Sequence, residues 1–237
     1  QFIIFIIDEF GERVPLTIAD SDNEKGTITL YYQIVGTSTL KLSHMKAGES
    51  LFSIVGPLGH PTEVKNYGTV VCVGGGIGIA PLFPISKAMK AAGNKVINIL
   101  GARSGNMLIL EDELYAIGDS NVTCTDDGTK GRKGYVTDIL KEIIEVERVD
   151  LVVAIGPVPM MKAVSNMTKD AGIKTFVSLN SVMIDGTGMC GGCRVTVGGE
   201  TKFTCVDGPE FDGHLVDFDS LNLRLKTYHD EEKQSYD

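Results

Sequence analysis

The chain alternates between two hydrophobic rhythms. Up to about residue 67 it carries short runs rich in β-branched and aromatic residues: FIIFIID (2–8), RVPLTIAD (13–20), GTITLYYQIV (26–35) and SLFSIVGP (50–57), separated by Gly, Asp and Asn. Such runs predict strands, and no helical period of useful length interrupts them, so a small antiparallel barrel or sandwich is expected over 1–67. From residue 68 the runs become continuously apolar: TVVCV (69–73), KVINIL (95–100), NVTCT (121–125), DLVVAI (150–155) and KTFVS (174–178). Continuous runs suit strands buried on both faces. Between them lie helical patterns. One runs from Ala80 to Ala92 and stops at Gly93. A second is VTDILKEIIEVE (136–147), with Ile139, Leu140, Ile143 and Ile144 on one face, and a third spans 158–171 and stops at Gly172. Strand–helix alternation over 68–178 predicts a doubly wound parallel sheet. From 179 to 237 glycines cluster and the runs shorten. RVTVGGETKFT (194–204) reads as a hairpin, and the polar tail YHDEEKQSYD (228–237) is expected to fray.

Composition narrows the function classes. The 237 residues are 43% hydrophobic and 22% charged, an ordinary globular balance with room for real cores. A formal net charge of −9 without a basic stripe argues against a nucleic-acid partner. FIIFII is far too short to span a membrane and lacks the basic flank of a signal peptide, so a cytoplasmic protein is expected. The chain opens at Gln1 directly in a strand-like run and reads as incomplete. Five cysteines do not form a disulfide framework in a chain of this kind. Cys72 and Cys124 stand alone in strand runs and are expected to be buried small hydrophobes.

The first apolar run of the second region leads into VVCVGGGIGIAPLFP (70–84). Gly74, Gly75, Gly76 and Gly78 stand between a predicted strand and a predicted helix that begins with Ala80 and Pro81. Glycines there let backbone amides approach a pyrophosphate, with the positive end of the helix behind them. Pro81 and Pro84 are expected in the first helical turn, where a missing N–H costs nothing. Gly76 and Gly78 are expected to stay small for the ligand's sake, so that Gly78→Val should cost nucleotide binding with little loss of fold. A tight glycine turn without ligand is the alternative. The loop departs from the common dinucleotide fingerprint, which wants an acid at the end of the second strand. Here that strand ends in GARSG, and Arg103 could accept a 2′-phosphate or cover a diphosphate, which leaves NAD and NADP both open. TDDGTKG (125–131), with Asp126 and Asp127, and GPVPMM (156–161), with Gly156 and Pro157, also follow predicted strands and are placed to line a nucleotide.

The remaining cysteines crowd into DGTGMCGGCRVTVGGETKFTC (185–205). Cys190-x2-Cys193 sets two thiols on one tight loop, and Cys205 returns across the predicted hairpin. Glycines at 186, 188, 191 and 192 can aim amides at inorganic sulfide. Asp185 stands four residues ahead of Cys190, so the set resembles the C-x4-C-x2-C…C spacing of a plant-type [2Fe–2S] site with its first Cys replaced by Asp. A zinc knuckle competes, but it normally offers four Cys or His ligands, and His214 is the only histidine nearby. A structural loop without a metal is the third possibility.

ERVPLTIAD, GPLG, GGGIGIAP and a C-terminal cysteine cluster together resemble the ferredoxin–NADP⁺ reductase superfamily over nearly the whole chain. Within it the chain is similar to dihydroorotate dehydrogenase electron-transfer subunits. It is still more similar to the small subunits of NADH-dependent reduced ferredoxin:NADP⁺ oxidoreductases, which have Asp where the former have the first Cys. The resemblance implies FAD in the β region, here an antiparallel barrel lacking its first strands. Arg13, Pro15, Leu16 and Thr17 match the R-x-P-x-T/S segment that holds the flavin phosphates and ring. QIVGTST (33–39) matches the second flavin segment, with Gln33, Val35, Gly36 and Thr39 as contacts. It further implies NAD(H) in preference to NADP(H), and a [2Fe–2S] cluster on Asp185, Cys190, Cys193 and Cys205. Electrons would pass between NAD(H), FAD and the cluster to a larger flavin or iron–sulfur partner subunit, with no catalytic side chain required. Two alternatives stand beside this: a dihydroorotate dehydrogenase electron-transfer subunit, and a non-redox binding protein with a structural zinc knuckle.

Overall fold

A computed structural model of the chain describes residues 1–227; the polar tail at 228–237 lies outside the described residues. Strands β1 (Phe2–Ile6), β2 (Val14–Asp22) and β3 (Thr27–Leu30), helix α1 (Thr37–His44) and strand β4 (Ser53–Leu58) come first. The four strands form one antiparallel sheet in the order β3-β2-β1-β4, which is open among the described residues and not closed into a barrel. Helix α1 is the element that the strand pattern conceals. Gly36 is its N-cap, and the Thr39 hydroxyl accepts from the amides of Val35 and Gly36 at 3.0 and 3.2 Å. TSTLKLSH has no apolar face that would announce a helix; its start is set by this local capping.

The second region runs β5 (Thr69–Gly75), α2 (Ile79–Ala91), β6 (Lys95–Ala102), α3 (Glu111–Ile117), β7 (Ser120–Thr125), β8 (Arg132–Lys133), α4 (Val136–Val146), β9 (Leu151–Ile155), α5 (Val158–Asp170) and β10 (Lys174–Ser178). The C-terminal segment adds β11 (Arg194–Val197), β12 (Glu200–Phe203), α6 (Thr204–Asp207), β13 (Glu210–Asp212) and α7 (Phe218–Leu225). β11 and β12 pair as the expected hairpin. β13 leaves that segment and joins the large sheet antiparallel to β10. The order is β13-β10-β9-β5-β6-β7-β8, parallel except at β13. The C-terminal segment is therefore stitched to the nucleotide sheet through β13, and the three sequence regions do not map onto three separate sheets.

β5 shows why its run is continuously apolar. Val70 and Cys72 pack with Leu82 and Met89 of α2 on one face; Val71 and Val73 pack with Ile139 and Leu140 of α4 and Val164 of α5 on the other. Burying each such side chain stabilises the fold by about 1.5–3 kcal/mol. Cys72 and Cys124 are both buried in these layers, as expected of small apolar residues. Burial pushes the Cys72 thiol up to about 12. Pro81 lies in the first turn of α2, but Pro84 falls in the second, where it forfeits a bond to the Ala80 carbonyl. The strand order reverses between β5 and β9, which opens a crevice at their carboxyl ends.

Candidate functional site

A cleft of about 950 Å³ occupies that crevice and extends to the small sheet. Its volume is at the upper end for small-molecule sites. The glycine loop supplies Gly75, Gly76, Gly78, Ala80 and Pro81 to its wall, and the strand ends supply Arg103, Asp126, Gly156 and Pro157. Across from them stand Pro15, Leu16 and Thr17 of β2, with Gln33 beyond β3. Two sequence motifs more than fifty residues apart thus face one space. α2 packs beside β2, with Lys87 paired to Asp20 at 3.3 Å, which holds the two sheets in this relation.

The glycines differ in role. Gly76 has φ +57, a left-handed conformation that favours glycine, and nothing within 4 Å of where a Cβ would stand, so its amide edge is open to the cleft. Gly78 is closed in: a Cβ there would run into the Ile155 carbonyl and stand 2.9 Å from Gly156 Cα. Its smallness serves the contact between α2 and β9. This corrects the expectation that Gly78→Val would spare the fold. Gly74 packs beneath Ile79 and Leu82 and does not line the cleft. Asp127 is turned into its own loop, accepting from the Thr129 amide at 2.9 Å and hydroxyl at 2.7 Å. Val35, Gly36 and Thr39 form the start of α1 and also lie outside the cleft wall.

Several lining residues escaped the sequence reading: Phe2, Tyr31, Tyr135, Ser178 at the end of β10, and Asn180, Ser181 and Met183 after it. The rule that ligands gather at strand carboxyl ends applies to KTFVS as much as to the other runs and could have found the last group. Tyr31 lies two residues before Gln33 in the same segment. Phe2 had no signal beyond its place in an apolar strand.

Behind the cleft lies the cysteine loop. Cys193 and Cys205 are buried with Phe2 and Ile4 of β1, with Leu58, Met183 and Phe203 packed around them. Their sulfurs are 3.2 Å apart, while Cys190 is exposed. The Cys205 amide donates to the Cys193 sulfur at 3.4 Å, and the Gly192 amide to the Cys190 sulfur at 3.3 Å. Burial, with the neighbouring Cys193, pushes the Cys205 thiol up to about 12. Soft donors with amides aimed at sulfur are the chemistry an iron–sulfur centre requires. Asp185 borders this loop. Its Oδ2 accepts from the Thr187 amide at 2.9 Å, the Thr187 hydroxyl and the Met189 amide at 3.3 Å. Its Oδ1 pairs with Arg13 at 3.1 Å. The Thr187 hydroxyl, and then its amide, hold the Asp185 carboxyl below the usual carboxylate range. Arg13 is therefore on the cluster side of the small sheet and not in the cleft wall. Among the described residues no three Cys, His, Asp or Glu side chains converge closely enough to hold a single metal ion, and no helix is long and apolar enough to cross a membrane.

Comparisons with known proteins agree with this geometry. Residues 72–166 match the oxidoreductase NAD-binding domain, and residues 180–217 match the iron–sulfur cluster binding domain of dihydroorotate dehydrogenase B. A dihydroorotate dehydrogenase B (NAD⁺) electron transfer subunit homolog from Thermotoga maritima is 48% identical over the whole chain and 84% of its own length. The corresponding Bacillus cereus electron transfer subunit is 36% identical over 84% of this chain and 78% of its own. A solved structure of an NADH-dependent reduced ferredoxin–NADP oxidoreductase, described for flavin-based electron bifurcation, is 47% identical. It superposes with a TM-score of 0.93 over 99% of this chain and 85% of that one. An Amycolatopsis cytochrome P450 reductase at 23% identity, with a TM-score of 0.61, shares the fold.

The two facing sheets, the glycine cleft and the cysteine loop define an oxidoreductase subunit of ferredoxin-reductase type, with an NAD-binding and an iron–sulfur domain. More particularly, the chain belongs to the family of dihydroorotate dehydrogenase B electron-transfer subunits and their homologues.

Proposed function

We propose that the chain passes electrons between NAD(H) in the cleft and a partner subunit, by way of FAD and a [2Fe–2S] cluster, as a subunit of the NADH-dependent ferredoxin:NADP⁺ oxidoreductase type. The observation that carries this reading is Phe2, which lines the cleft and belongs to the same small buried cluster as Cys193 and Cys205. The cleft and the thiols therefore share a wall, to which Met183 also belongs.

In this reading the amides around Gly75 and Gly76 receive the diphosphate of the nucleotide, with the start of α2 behind them. Arg103 covers that diphosphate, and Asp126, Gly156 and Pro157 border the rest of the dinucleotide. Pro15, Leu16, Thr17 and Gln33 form the flavin side of the cleft, with Tyr31 and Phe2 enclosing it. FAD and the cluster, when bound, supply the conversion of a two-electron hydride into single electrons. Cys190, Cys193 and Cys205 bind the iron. Asp185 completes the set through Oδ1, which among the described residues accepts only from Arg13 and keeps a lone pair for metal. A zinc knuckle normally offers four Cys or His ligands, whereas the fourth residue beside these thiols is the carboxylate of Asp185. Five free cysteines fit a reducing cytoplasm.

The test is anaerobic co-purification with the native partner, followed by iron, sulfide and flavin analysis and titration with NADH. Two irons and two sulfides per chain, with flavin and cluster absorbance bleached by NADH, are expected. A colourless protein containing zinc refutes the reading. A dihydroorotate dehydrogenase role is the second reading, favoured by the names of the relatives at 36% identity. A partner that oxidises dihydroorotate would establish it.

A further inference from the structure

Arg13 and Asp185 are 172 residues apart in sequence, yet Arg13 Nη1 donates both to Asp185 Oδ1 at 3.1 Å and to the Asp185 backbone carbonyl at 3.3 Å. Arg13 immediately precedes β2, whose next residues form the flavin side of the cleft. Asp185 opens the loop that carries the thiols. We propose that Arg13 is a positioning residue for the iron–sulfur loop, fixing the Asp185 carboxylate against the sheet whose next residues form the flavin side of the cleft. The proposal rests on the functional reading above and names a link between the flavin strand and the cysteine loop.

The loop is held on the small sheet at two points. One is apolar: Gly186 lies so close to β1 that a Cβ would stand 2.8 Å from Ile4 Cγ1, with Leu58 beside it. The other is the ion pair. An ion pair whose partners are partly exposed, as these are, adds little to stability. Its consequence is geometric and electrostatic. With Oδ1 on Arg13 and Oδ2 on Thr187 and Met189, the plane of the carboxylate is set from both sides. A fixed cation at this distance also favours the more negative member of any redox couple at the loop, which is the reduced one.

The experiment uses the complete complex, with Arg13→Gln, Arg13→Lys and each combined with Asp185→Asn. Redox titration and paramagnetic resonance of the cluster are the readouts, because a purely structural role would leave them unchanged. Arg13→Gln is expected to lower the cluster's reduction potential and change its spectrum. Arg13→Lys, which keeps the charge, is expected to restore most of the potential. In the Asp185→Asn background Arg13→Gln should shift the potential less, since the part that acts through the carboxylate is gone. Wild-type potential and spectrum in Arg13→Gln, or an equal shift in both backgrounds, overturn the proposal. If Arg13→Gln loses the cluster, Arg13→Lys decides: a wild-type potential supports the proposal, and a lost cluster or a fully shifted potential overturns it. A wild-type complex without iron at this loop would refute the functional reading itself.

Discussion

The Ile155 carbonyl lies directly against Gly78, its carbon 2.7 Å from where a Cβ would stand, whereas Gly76 two residues earlier faces open space. The two glycines should fail differently. Gly78→Ala overpacks the contact between α2 and β9 and should cost about 1–3 kcal/mol, read as a lowered melting temperature. Gly76→Ala costs about 1–2 kcal/mol for its left-handed backbone but sets a methyl in the path of the diphosphate. NADH affinity should fall about tenfold or more in a protein that still folds, equivalent to ~1.4 kcal/mol. Titration and thermal melts of both variants check this; wild-type NADH affinity in Gly76→Ala would contradict the assignment.

Arg103 should act on the part of the nucleotide common to NADH and NADPH. The wild type should prefer NADH, and Arg103→Ala should weaken both nucleotides alike. A loss confined to NADPH would show that Arg103 meets a 2′-phosphate instead.

Asp185→Cys should keep the cluster but change its potential and resonance spectrum, because a thiolate is a softer donor than a carboxylate. Asp185→Ala also removes the acceptor for the Thr187 and Met189 amides and should make the cluster labile. Cluster content, potential and spectrum unchanged in Asp185→Ala would show that Asp185 is neither ligand nor loop anchor.

The fold should lose stability in alkali. The Cys72 thiol is raised to about 12 by burial, and Tyr67 to about 12 by burial and its bond to Glu63. Both are acids whose neutral form the fold favours, so their contribution is present in full below the unfolded values, about 8.5 and 10. It is lost as pH rises from there towards 12. Cys72→Val should flatten the lower part of that decline in urea unfolding measured between pH 8 and 11; an unaltered slope would exclude Cys72 as its source.

The exposed apolar residues around the thiols should matter to assembly. Met189 is 86% exposed and Ile184 55%, near the exposed Cys190. Met189→Asp should reduce recovery of the partner subunit on co-purification without altering NADH binding. Undiminished recovery would place the interface elsewhere.

The nucleotide sheet was legible because strands buried on both faces must be apolar throughout, and TVVCV and DLVVAI have no other use for that pattern. The hairpin at 194–204 and the burial of Cys72 and Cys124 were legible on similar grounds. α1 was not, because capping at Gly36 and Thr39 determines it and its residues carry no face. β13 was hidden too: Glu210–Asp212 is three residues long, and pairing with a strand some thirty residues earlier leaves no local period. At the site, glycine spacing announced a close approach but could not say to what. Only packing separates Gly76, open to the cleft, from Gly78, pressed on Ile155. The contact between Arg13 and Asp185 joins two motifs that are individually readable in an arrangement that neither motif contains.

The antiparallel pairing of β13 with β10 has a consequence for how the molecule is made. Residues 179–209, with all three clustered cysteines, form an excursion whose two ends are clasped by that pairing. Closing a long loop costs only slightly more than closing a short one, so the clasp tolerates the excursion. It cannot close until residue 212 has been synthesised, after every other strand of the large sheet is available. During vectorial synthesis the nucleotide layers can therefore collapse first and the thiols are enclosed last. A metal centre at this loop would then be loaded onto a scaffold already built.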